Sequence, residues 1–196
     1  MNPGQTASRP SPADELLAVA IEQFATVGFA GTSLQQIADA AGYSKSSVLY
    51  HFASKEALLE AALGPAIDRL EHVLDGVSGL AGTAGERRAF IERFIDFLLE
   101  YRLEVHTFIN QGQSLVGIPA IDRANATVLR LADACVAELT DAEDRVRFGV
   151  ALGGAAYALV AAKNFAGEEP TDEVRDALIT VVGTLLAPVH PRTTKN

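Results

Sequence analysis

The chain has 196 residues, of which 48% are hydrophobic and 21% charged, and its formal net charge is −9. That balance excludes a disordered chain, and the acidity excludes nucleic-acid binding driven by overall charge. A single cysteine, Cys135, cannot close an internal disulfide, so a reducing compartment, the cytoplasm, is expected.

Residues 1–12 hold three prolines and no apolar run. They are expected to form a flexible tail, without a secretory signal. Leu16, Leu17, Ala20, Ile21, Phe24 and Val27 recur at helical spacing and define a first helix that Gly28 stops. "TSLQQIADAAG" follows as a short second helix. Thr32 is the expected N-cap, with Gln35 completing a capping box and Gly42 closing the helix. Ser44 caps a third short helix ending near His51, and Ser54 caps a fourth, expected to bend near Gly64–Pro65.

Further helices are expected from Glu86 to Glu104, with a shorter one running on through Asn110, and from Ile121 to Leu139, Asp141 to Phe165 and Thr171 to Leu186. No stretch alternates with period two, so the fold class is all-α. The longest uncharged apolar run, Phe148 to Ala162, is shorter than the roughly 20 residues needed to cross a bilayer, so no membrane partner is expected.

Two short helices joined by about three residues, with glycine at the joint, suggest a helix-turn-helix. Ala38 is small where the pair would cross, and Gly42 supplies a positive φ at the turn. Ile37, Val48 and Phe52 then face inward. Lys45, Ser46, Ser47, Tyr50 and His51 face outward, offering hydroxyls and one cation to phosphates and base edges. The segment from Ala40 to Lys55 holds two lysines and no acid, so the local charge is positive within an acidic chain. Helix starts at Thr32 and Ser44 point backbone N–H groups at anions.

"TSLQQIADAAGYSKSSVLYHFASKEALL", preceded by "AIEQFATVGFAGTS", resembles the N-terminal DNA-binding domain of the TetR family of transcriptional regulators. The resemblance runs from Leu16 to Ala61. Many members carry glycine where Ser46 stands and tyrosine where Leu49 stands. The resemblance implies a tail at 1–12, a three-helix DNA-binding domain at 13–53, and a larger helical bundle at 54–196 for effector binding and dimerisation. Expected DNA contacts are Thr32, Ser33, Ser44, Lys45, Ser46, Ser47, Tyr50, His51 and Lys55. The implied function is a ligand-responsive regulator, a repressor, that binds a palindromic operator on double-stranded DNA as a homodimer and is released by a small-molecule effector.

Two more features belong to the larger domain. Phe90, Phe94, Phe97, Leu98, Tyr101, Val105 and Phe108 recur at helical spacing, mostly as core, and amides follow them. An apolar wall with a few polar groups suits a small-molecule pocket, for which Phe94, Phe97, Tyr101, His106 and Gln113 are the candidates. Gly149, Gly153, Ala156 and Ala161 suggest close helix packing, and in the resembled family the last two long helices pair with their copies as the dimer interface. His51, His72, His106 and His190 show no metal spacing with each other or with Cys135. No nucleophile elbow is present. Neither enzyme activity, nor a cofactor, nor a metal is expected. The low basic count motivates one rival, an all-α ligand-binding or enzymatic domain with a vestigial helix-turn-helix.

Overall fold

The computed structural model describes residues 10–76, 82–138, 141–161 and 172–187. The expected tail over residues 1–9, the "AGEEP" break, the segment from residue 188 onward and the Cys135 side chain lie outside the described residues. The described residues form α1 (Pro12–Thr26), α2 (Leu34–Ala41), α3 (Lys45–His51), α4 (Lys55–Leu74), α5 (Ala84–Glu100), α6 (Arg102–Gln111), a 3-10 turn (Gly112–Leu115), α7 (Pro119–Glu138), α8 (Ala142–Val160) and α9 (Asp172–Leu186). No strand occurs among them, so the chain is all-α. No helix among the described residues is long and apolar enough to cross a membrane.

The chain divides into two compact units, Met1–Leu63 and Gly64–Asn196, and the division falls inside α4. In the first unit, α1 packs on α2 and α2 on α3. Leu16, Ala20, Ile21 and Phe24 of α1 are buried, as are Ile37 and Ala38 of α2, Val48 of α3 and Leu58 and Leu59 of α4. Burying a Leu, Ile or Phe side chain contributes roughly 1.5–3 kcal/mol, so this small set supplies most of the drive to hold the unit together.

Helix starts are set by side-chain caps. Ser11 caps α1 in a capping box with Asp14, and Pro12 occupies the first turn, where its missing N–H costs nothing. Thr83 does the same for α5 with Glu86, whose carboxyl the Thr83 backbone N–H holds below its ordinary range. The cap of α2 is Ser33 with Gln36, one residue beyond the expected pair of Thr32 and Gln35.

In the second unit, Phe90, Phe94, Ile95 and Leu98 of α5 pack with Phe148, Leu152 and Leu159 of α8 and with Ile179, Val182 and Leu186 of α9 in one core cluster. Ala66 and Val73 of α4 join it. Arg175 of α9 grips Asp96 of α5 with two hydrogen bonds, at 2.6 and 3.1 Å. Arg123 of α7 does likewise for α4, reaching Asp68 at 2.7 Å and Glu71 at 2.6 Å. The hydrogen bond from Arg123 holds the Glu71 carboxyl below the ordinary carboxylate range.

Candidate nucleic-acid interface

The turn between α2 and α3 is built from three residues. Gly42 has φ 75° and ψ 24°, the left-handed conformation that ends a helix at low cost only for glycine. The Tyr43 N–H then bonds the Ala38 carbonyl at 2.8 Å. The Tyr43 hydroxyl donates to the Glu15 carboxylate at 2.6 Å, which ties the turn to α1. Ser44 caps α3, its Oγ accepting from the Ser47 N–H at 3.1 Å.

This geometry fixes the faces of α3. Val48 is fully buried, and Tyr50 is 85% exposed. Lys45, Ser46 and His51 are exposed, and Ser47 is half-buried. The hydroxyls of Ser46 and Ser47 lie 2.8 and 2.9 Å from that of Ser44, so the start of α3 presents a connected group of three hydroxyls. Tyr50 and His51 meet edge to face at 5.1 Å between ring centres. Six of the nine expected contact residues therefore lie together on or beside α3. Ser33 is exposed at the start of α2.

Thr32 and Lys55 depart from the expectation. Thr32 is buried, and its hydroxyl donates to the Gly28 carbonyl at 2.8 Å. Being one residue ahead of the cap, it faces the connection and not solvent. Lys55 is part-buried, with Nζ donating to the carbonyls of Phe29 and Thr32. Leu49, absent from the expected contacts, is 45% exposed. The signal for it was present, because an outward leucine one turn beyond Lys45 on so short a helix has no core role to fill.

In the second unit the aromatic wall is real but packed. Phe94 meets Phe90 at 6.3 Å and Phe97 at 6.4 Å, and Phe97 meets Tyr101 at 5.8 Å. Phe94 and Phe97 are buried in the core cluster, while Tyr101 is half-buried where α5 passes into α6. Gln113 is exposed in the 3-10 turn. His106 Nδ1 and Thr107 Oγ1 are buried polar atoms with no hydrogen-bond partner among the described residues. Burial pushes the His106 pKa down and the Glu104 pKa up. Sequence reasoning missed Thr107, since a lone threonine in an apolar helix carries no signal of its own. An open groove of about 640 Å³ lies between α5 and α9, lined by Arg87, Arg88, Ile91, Asp176 and Thr180 among others. None of the five expected pocket residues lines it. No cluster of His, Cys, Asp or Glu among the described residues could hold a metal ion.

Gly149 and Gly153 are exposed on α8, and Ala161 is half-buried at its C-cap. Ala156 packs in part against the core of its own chain.

A buried α1–α2–α3 unit with a glycine turn and an outward third helix defines a helix-turn-helix protein. Residues 16–62 match the family model described as "Bacterial regulatory proteins, tetR family". The regulator RutR of Escherichia coli K12 is 49% identical over 53 residues, which cover 27% of this chain and 25% of that protein. The repressor KstR2 of Mycolicibacterium smegmatis is 40% identical over 126 residues, covering 61% of this chain and 58% of that protein. The matches thus span a quarter and somewhat over half of these two relatives. The structure of SCO3833, a TetR-family member from Streptomyces coelicolor A3, superposes with a TM-score of 0.69 at 26% identity, covering 93% of this chain and 94% of that one. Residues 16–62 carry the DNA-binding domain of the TetR family of transcriptional regulators, and the chain is similar over 93% of its length to a solved member of that family.

Proposed function

We propose that the protein is a homodimeric repressor that binds a palindromic operator and releases it when a small molecule enters the second unit. The observation that carries the DNA part is α3, with Val48 inward and Lys45, Ser46 and Tyr50 outward behind the Gly42 turn. Side chains on such a helix reach base edges in a major groove, while the hydroxyls and helix starts serve phosphates. One such helix reads few base pairs, and a two-fold dimer doubles the contacts on a palindrome. The name of KstR2, a repressor, supports the direction of regulation.

The contact residues proposed are Ser33, Ser44, Lys45, Ser46, Ser47, Tyr50 and His51. For the effector site, the unpartnered His106 and the neighbouring Tyr101 support a polar end against the wall of Phe94 and Phe97. Release is a two-state event. The effector must favour the released state by a few kcal/mol to empty the operator.

Selection of bound duplexes from a random pool tests the reading. A palindrome should emerge, bound more weakly as salt rises. The double substitution Lys45→Ala with Tyr50→Ala should abolish binding and leave helicity and dimerisation intact. Retained operator affinity in that variant would show that α3 is not the contact face. Compounds that raise the melting temperature in a metabolite screen should also release the selected duplex.

A further inference from the structure

Lys55 opens α4, yet its side chain turns back into its own unit. Nζ donates to the Phe29 carbonyl at 2.7 Å and to the Thr32 carbonyl at 2.9 Å. The same ammonium lies 4.2 Å from the centre of the Phe29 ring. Phe29 is buried and packs on Phe24 of α1, with ring centres 5.3 Å apart. An ammonium has three N–H donors, so at most one is left for any other acceptor. Both carbonyls belong to the connection that leads from α1 into Ser33, the cap of α2. Thr32 is held from its other side as well, through its hydroxyl on the Gly28 carbonyl.

We infer that Lys55 is a positioning residue for DNA recognition, tying the first turn of α4 to the segment that launches α2. It does not neutralise a phosphate. The inference rests on the DNA-binding reading above. The chemistry suits a lysine, because carbonyl oxygens and an aromatic face are all centres of partial negative charge that one compact cation can serve together. The mechanical consequence follows from the order of the elements. Residues 29–32 precede α2, and α2 carries α3 through the three-residue turn. A shift at the start of α4 is therefore delivered to α2 through two short hydrogen bonds. The attitude of the recognition helix depends on a side chain that never touches the duplex.

The test compares salt dependence with affinity. Each phosphate neutralised by a protein adds about 0.9 to the slope of log affinity against log salt. Lys55→Met keeps the aliphatic stem and removes the charge and the donors. The probe is the duplex that the wild-type protein selects from a random pool. The folded Lys55→Met protein should bind it about tenfold more weakly, the order expected for losing hydrogen bonds to a charged group, with the wild-type slope unchanged. A slope reduced by about 0.9 would make Lys55 a phosphate contact and overturn the inference. Undiminished affinity in the folded variant would leave Lys55 a stabilising residue only, and would overturn it too. Lys55→Arg covers the case in which the methionine variant does not fold. Its longer, planar fork does not fit the space of a compact ammonium seated on both carbonyls and must shift the segment ahead of α2, so weakened binding at full slope is expected, and wild-type affinity counts against the inference. Should the wild-type protein select no duplex at all, the DNA-binding reading falls, and this inference with it.

Discussion

At the scale of single residues, two positions carry more than their side chains suggest. Gly42 has φ 75°, and a Cβ built there would meet no atom within 4 Å. The cost of any other residue is then torsional and not steric. Gly42→Ala should destabilise the protein by about 1 kcal/mol, the lower end of the left-handed penalty for an L-residue. Gly42→Asn should cost less, because asparagine tolerates that region. Urea unfolding of the three proteins decides it, and equal midpoints would deny the turn its left-handed glycine. Glu104 is the second position. Burial holds its carboxyl above the ordinary carboxylate value, so the folded state binds that proton more tightly than the unfolded state does. The stability linked to it is fully present below the ordinary value of about 4.3 and is lost as pH rises through the raised folded value. Glutamine stays neutral throughout. Glu104→Gln should therefore be more stable than the wild type at neutral pH, with the margin closing as the solution is acidified. Urea midpoints measured across that range would show a flat difference if Glu104 were freely solvated.

At the scale of elements, what the sequence made legible was whatever a period or a punctuating residue encodes. Apolar spacing locates the helices, and Gly42 marks the turn because the backbone between α2 and α3 needs a positive φ there. The start of α2 was placed one residue early. Thr32 and Ser33 are both good caps, and the choice falls to Ser33 because the buried Thr32 turns its hydroxyl back onto the Gly28 carbonyl, while Ser33 accepts from the Gln36 N–H. Sequence alone cannot see that tertiary competition. The partners of Lys55 are hidden from the sequence for the same reason: they are carbonyls 23 and 26 residues earlier, and main-chain atoms leave no mark in a sequence. Gln113 was grouped with His106 by nearness along the chain, but the 3-10 turn puts it on the surface. The helix expected from Glu86 to Glu104 ends earlier than its spacing suggests, and the shorter one through Asn110 begins earlier. The Tyr101 backbone, at φ −110° and ψ 37°, ends α5 and begins α6. No glycine or proline announces that break, so periodicity ran straight through it.

At the scale of the whole molecule, assembly is the property on which the proposed operator binding depends. On α8, Val146, Val150, Gly153 and Tyr157 are exposed and recur every three or four residues, so they share one face. The opposite face buries Phe148, Leu152, Ala155 and Leu159 in the core of the chain. A Cβ added at Gly149, Gly153 or Gly154 would meet nothing within 4 Å. Each of these glycines costs its helix about 1 kcal/mol relative to alanine, and no packing among the described residues offsets that. On α9, Val181 is likewise 57% exposed beside the buried Val182. A second copy closing on these faces would account for both the exposed valines and the glycines, since small residues let helices approach closely. Gly153→Arg separates this interface from simple helix stability. Arginine is a far better helix former than glycine, so the isolated chain should be at least as helical and as stable as before. The dimer should nevertheless be lost, because a long cation would sit between the facing helices. Sedimentation should show a monomer, and affinity for the selected palindrome should fall by orders of magnitude, since each half-site would then be bound alone. A Gly153→Arg protein that still sediments as a dimer would move the interface away from α8.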